Sequence, residues 1–172
     1  MHYRHLGRTG LKISVIGVGT WQFGGEWGKD FSQAEVDAIL AAARDCGINF
    51  LDTAECYGDH LSERFIGAAL AGQRDRWIIA TKFGHHFHEP FRRTDLFGPA
   101  DVVKQLDDSL RALRTDYIDL LQCHSAKDEQ FGIDLCADCA NEFLSAFRDI
   151  DRRMRASEYA AQTRPMKSEC QV

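Results

Sequence analysis

At 172 residues, 44% of them hydrophobic and 27% charged, the chain has the size and balance of one ordinary globular domain, large enough to bury a core. A net charge of -5 argues against a nucleic-acid-binding surface, and no apolar run approaches the roughly 20 residues of a membrane span. The start, Met1-His-Tyr-Arg-His, lacks the hydrophobic core of a secretory signal, and six cysteines lie scattered, so the expectation is free thiols in a reducing cytoplasm.

In chain order, Arg4 to Ser14 centres on a glycine turn between short extended pieces and predicts a hairpin. Val15-Ile-Gly-Val-Gly19 is a short apolar strand, followed by a glycine-rich loop through Gly28. Ser32 with Glu35 three residues on predicts a capping box, and the helix after it places Val36, Ile39, Leu40 and Ala43 on one face before Gly47 stops it. Phe50-Leu51 reads as a buried strand and Ser62 to Ala71 as the next helix, with Phe65, Ile66, Ala69 and Leu70 inward. Trp77 to Ala80 is continuously apolar, as in a strand covered on both faces. A loop rich in Phe, His and Arg runs to Gly98. Pro99 opens a helix carrying Val102, Val103, Leu106, Leu110 and Leu113 at helical spacing. Tyr117 to Cys123 is the fourth strand, and after Lys127 a further helix is expected with Phe143, Phe147, Ile150 and Met154 on one face. The rest reads as polar tail.

Repeated βα units with short connections imply right-handed crossovers and a parallel sheet. Four ionisable groups fall where those strands end: Asp52 closes Asn49 to Asp52, Tyr57 follows it, Lys82 closes Trp77 to Lys82, and His124 closes Tyr117 to His124. Side chains at the C-terminal ends of successive parallel strands gather on one rim when the strands curl into a barrel.

The motifs carrying these residues are Leu6-Gly-Arg-Thr-Gly10-Leu-Lys-Ile-Ser14, Gly17-Val-Gly-Thr-Trp21, Asp52-Thr-Ala-Glu-Cys-Tyr57-Gly58, Ser62-Glu63, Ala80-Thr-Lys82 and Leu113 to His124. Through them, over about residues 3 to 128, the chain resembles the aldo-keto reductase family. The resemblance implies a (β/α)8 TIM barrel that uses NADPH, or less often NADH, to reduce aldehydes and ketones. It implies a catalytic tetrad of Asp52, Tyr57, Lys82 and His124, with Gly19, Thr20, Trp21 and Asp52 beside the cofactor. Tyr57, whose ordinary pKa is near 10, would be the proton donor. A Lys82 ammonium lowers the phenol's pKa, Asp52 fixes the lysine, and His124 orients the carbonyl.

Four units stand against the eight of a closed barrel, which typically needs about 250 residues. The expected fold is therefore α/β, a partial barrel over 1–128 led by a hairpin and followed by a diverging helix and polar tail over 129–172. In the family the phosphate and adenosine ends of the dinucleotide are held chiefly by the second half-barrel, and nothing in 129–172 resembles that segment. Read this way the chain is a truncated reductase; the alternative is an inactive remnant or interaction module. An open sheet also leaves strand edges that invite self-pairing, so a homo-oligomer is expected alongside a small carbonyl substrate, with no nucleic acid and no membrane. No metal site is expected: His85, His86 and His88 point in different directions, and Cys136-Ala-Asp-Cys139 lacks a second pair of ligands. Arg148 to Arg155 reads as a solvated helix face, and the glycines of 24–28 lack the Rossmann spacing.

Overall fold

The computed structural model describes residues 1–126. Strands β1 (Tyr3–His5) and β2 (Lys12–Ser14) form the expected antiparallel hairpin. It is tied to the rest of the fold by Asn49, whose Oδ1 accepts from the Ser14 amide at 2.7 Å while its Nδ2 donates to the Lys12 carbonyl at 2.9 Å.

Four parallel strands follow in spatial order β3 (Val18–Gly19), β4 (Phe50–Asp52), β5 (Ile78–Phe83) and β8 (Leu120–Cys123). Gly19 lies beside Asp52, Asp52 beside Ala80, and Phe83 beside Cys123, so the strand ends come to one rim. The first strand is shorter than the Val15–Gly19 run suggests. The Ser14 hydroxyl donates to the Ile16 carbonyl at 2.6 Å and bends the chain there, leaving Val15 and Ile16 exposed. β8 is likewise shorter than Tyr117–Cys123. Asp119 turns its carboxylate inward to accept from the Ile79 amide at 2.9 Å and from Arg74 at 2.7 Å.

Helices α1 (Gln33–Asp45), α2 (Leu61–Ala69) and α3 (Pro99–Leu113) connect the strands. The capping box forms as its spacing predicts: the Ser32 side chain accepts from the Glu35 amide, and the Glu35 carboxylate accepts from the Ser32 amide at 2.8 Å. Val36 and Leu40 carry the buried face of α1, while Ile39, expected inward, is exposed to one side of it. The core lies between strands and helices, where Leu51, Ile66, Ile79, Val102, Leu106 and Ile118 are fully buried. At Gly67 an added Cβ would lie 2.6 Å from the Ala112 carbonyl oxygen; only glycine lets α2 approach α3 that closely.

The segment expected as a loop to Gly98 is instead an antiparallel hairpin of β6 (His85–Glu89) and β7 (Arg92–Asp95). Its turn, Pro90-Phe91, puts Phe91 at a positive φ of 62°. A phenylalanine in the left-handed region is a poor turn signal, which is why the hairpin cannot be read from composition. The helix expected after Lys127, its apolar face, the Cys136–Cys139 pair and the Arg148–Arg155 run lie outside the described residues. Among the described residues no helix is long and apolar enough to cross a membrane.

Candidate active site

Lys82 is the hub of the rim. Its Nζ donates to Asp52 Oδ1 at 2.6 Å, to the Thr53 carbonyl at 2.8 Å and to the Tyr57 hydroxyl at 3.2 Å. The three residues meet because β4 ends at Asp52, paired with Ala80, while β5 runs on past it through Lys82 to Phe83, and the turn after β4 brings Tyr57 back over the lysine. His124, the first residue beyond β8, is fixed by its amide donating to the Phe83 carbonyl at 2.8 Å. Its ring stands edge-on to Tyr57 with centroids 5.9 Å apart. All four rim residues named from sequence are thus brought together.

The turn carrying Tyr57 is clamped from behind. Buried Ser62 donates to Thr20 Oγ1 at 2.9 Å, and Thr20 in turn bonds the Asp52 carbonyl through its amide and its hydroxyl, both at 3.0 Å. At Gly58, φ +64°, an added Cβ would lie 2.3 Å from the Gly24 carbonyl oxygen. The Tyr57 turn and the Trp21–Gly24 3₁₀ turn therefore interlock backbone to backbone. Trp21 stacks on the Tyr57 ring, centroids 5.9 Å apart. Its indole N–H donates to Glu26, a fully buried carboxylate that also accepts from Arg93 at 2.6 Å. Arg93 lies on β7, so the hairpin is pinned to the same loop.

Burial dominates the electrostatics of the rim. It pushes the Tyr57 phenol above its ordinary range, and the charge and hydrogen bond of Lys82 only partly offset it. Lys82 acts in the expected direction, but the net shift is upward. Tyr57 therefore holds its proton firmly at neutral pH. His124 is depressed to about 4, first by burial and then by the charges of His85, Lys82 and Arg93, so its imidazole is neutral. The Cys56 thiol, pushed up to about 12 by burial and by Glu55, keeps its proton and faces His124 Nδ1 at 3.4 Å. With Nδ1 accepting from that thiol, the ring's own proton belongs on Nε2. Burial also raises Glu55 to about 7.

The aldo/keto reductase family model matches residues 15–145. The chain belongs to this family. Over 129 residues it is 40% identical to the aldo-keto reductase YhdN of Bacillus subtilis, covering 72% of this chain and 38% of that protein. With L-galactose dehydrogenase of Arabidopsis thaliana it shares 42% identity over 132 residues, 75% of this chain and 39% of the relative. The chain thus spans about two-fifths of the length of these curated relatives. Among solved structures, aldo-keto reductase AKR11C1 from Bacillus halodurans in its holo form superposes with a TM-score of 0.73 at 32% identity, covering 88% of this chain and 47% of that one. An aldo-keto reductase from Klebsiella pneumoniae in complex with NADPH superposes at 0.60 with 28% identity, covering 83% and 43%. The partial barrel expected from sequence is therefore an aldo-keto reductase one.

Of the residues expected beside a cofactor, Gly19 borders open space, with nothing within 4 Å of an added Cβ. Thr20 is fully buried, its side chain engaged with Asp52 and Ser62. Trp21 is half-buried against Tyr57. Sequence reasoning missed the roles of Glu55 and Cys56, although both stand inside the Asp52–Gly58 motif. It missed the Glu26–Arg93 pair altogether, because 67 residues separate the partners and no short motif links them.

Proposed function

We propose that the chain carries the catalytic rim of an NADP(H)-dependent carbonyl reductase acting on small aldehydes or ketones. The observation that carries this reading is Lys82 Nζ holding Asp52 Oδ1 and the Tyr57 hydroxyl at once, at 2.6 and 3.2 Å. The residues present fit the nicotinamide end of a dinucleotide: open backbone at Gly19, next to Asp52 in register, with the Trp21 and Tyr57 rings beside it. When bound, that cofactor supplies a hydride to the carbonyl carbon.

Tyr57 then protonates the developing alkoxide. A phenol is a reluctant acid, and burial makes it more so. The Lys82 charge matters because it stabilises the phenolate left behind, while Asp52 holds the lysine at that distance. His124, neutral with its proton on Nε2, donates a hydrogen bond to the carbonyl oxygen and needs no change of charge across neutral pH.

The test is initial rates of NADPH oxidation with an aromatic aldehyde, for the parent chain and for Tyr57→Phe. The parent turns over, and the variant, which loses one hydroxyl and little volume, is slower by about 10²–10⁴-fold. A Tyr57→Phe rate close to the parent's would remove Tyr57 from the acid role. A parent chain with neither turnover nor saturable quenching by NADPH would favour a non-catalytic interaction module instead.

A further inference from the structure

Between the rim and the hairpin, Glu55, Cys56 and His124 bring three ligand atoms within 4.8 Å of one another. Glu55 and Cys56 are 3% and 1% exposed. One oxygen of Glu55, Oε1, accepts from the His85 amide at 3.0 Å, but the other, Oε2, is buried without a hydrogen-bond partner. A buried carboxylate oxygen left unpaired is costly and calls for a partner.

The spacing of the three donors suits a metal ion as that partner. Zinc–sulfur and zinc–nitrogen bonds of about 2.3 and 2.0 Å at a tetrahedral angle set the two donors about 3.5 Å apart. Cys56 Sγ and His124 Nδ1 stand 3.4 Å apart. A Glu55 carboxylate oxygen, the third donor, stands within 4.8 Å of both, so closing on a shared ion needs a modest inward movement of that side chain. One thiolate, one imidazole and one carboxylate leave a fourth position for water, unlike the four protein ligands of a structural zinc site. A cavity of about 610 Å³ with Glu55, Cys56, His85 and His86 among its lining residues borders the cluster.

We infer that Glu55, Cys56 and His124 form a binding site for a thiophilic divalent cation of the zinc class. The cation takes the place of the thiol proton between Cys56 and His124, releasing that proton to solvent. The thiolate and the carboxylate neutralise the cation's two charges, so its effect on the rim is mechanical: occupancy ties His124 through Nδ1 to Cys56, the chain neighbour of Tyr57, and holds both rigid where a carbonyl must be accommodated. Cation binding stands apart from the reductase reading; only the inhibition rests on it.

The test is an anaerobic titration of the full, reduced chain with Co²⁺, which reports thiolate ligation by a sulfur-to-cobalt charge-transfer band. We expect a saturable band, displaced by Zn²⁺, that survives in the Cys136→Ser/Cys139→Ser double variant. It is lost in Cys56→Ala, and Glu55→Gln weakens binding by more than about tenfold, with far-ultraviolet dichroism of each variant matching the parent. A band retained in Cys56→Ala, a band lost with the Cys136–Cys139 pair, or no saturable binding would overturn the site. If the parent reduces carbonyls, Zn²⁺ slows it and a chelator restores it; a rate untouched by saturating Zn²⁺ would overturn the inhibition while leaving the spectroscopic result standing.

Discussion

At the scale of single residues, the site rests on an opposition between burial and one positive charge. Burial raises the Tyr57 phenol, and Lys82 pulls it down through its charge and a 3.2 Å hydrogen bond. Removing the ammonium leaves burial unopposed, so Lys82→Met raises the phenol further. The measurement is the ultraviolet titration of the parent minus that of Tyr57→Phe, repeated in the Lys82→Met background, which isolates Tyr57 from the other tyrosines. Overlaying difference curves would show that the two groups are not coupled. Asp52, Lys82 and His124 were legible in the sequence because each closes an apolar run that becomes a paired strand, and Tyr57 because it follows the first of them within the Asp52–Gly58 motif. The net direction of the Tyr57 shift was not legible, since it depends on how many neighbours exclude water from the ring.

At the scale of elements, the helices were legible and the second hairpin was not. Ser32 and Glu35 announce α1 by chemistry local to four residues, whereas β6 and β7 depend on a turn at Pro90-Phe91 and on Arg93 reaching a carboxylate far away in sequence. That reach makes a stability prediction. Arg93→Ala leaves Glu26, fully buried, with only the Trp21 indole N–H, and breaking a buried pair on one side costs about 3–5 kcal/mol. Urea denaturation checks it; a loss within about 0.5 kcal/mol, ordinary for a surface substitution, would mean that the hairpin is not anchored there. The capping box gives a pH signature. Glu35 is lowered from 4.5 to about 2, chiefly by the Ser32 amide and then by Lys29. A depressed folded-state pKa gives stability that is present above 4.5 and lost as pH falls through about 2. Glu35→Gln keeps the acceptor and removes the charge, so its deficit in denaturation midpoint against the parent should be full at neutral pH and shrink below 4.5. A deficit constant with pH would show that the charge contributes nothing.

At the scale of the whole molecule, the described sheet has two edges. β3 bonds only β4, and β8 only β5. Val15 and Ile16, just before β3, are exposed apolar side chains. An edge with apolar neighbours is a surface on which another chain can continue the sheet. The 172-residue chain is therefore expected to self-associate, with Ile16→Lys shifting it toward monomer in light scattering. A monodisperse parent monomer would show that these edges are covered within one chain.

Lys82 offers three donors, and Asp52, the Thr53 carbonyl and Tyr57 accept all three. A lysine exposed to a stream of aldehydes is ordinarily a target for imine formation, which needs a free lone pair on the nitrogen. Here the lone pair appears only if a proton leaves and the contact with Asp52 or Tyr57 breaks. On the carbonyl-reductase reading proposed above, the clamp that aims the ammonium also guards it against adduct formation by an aldehyde substrate.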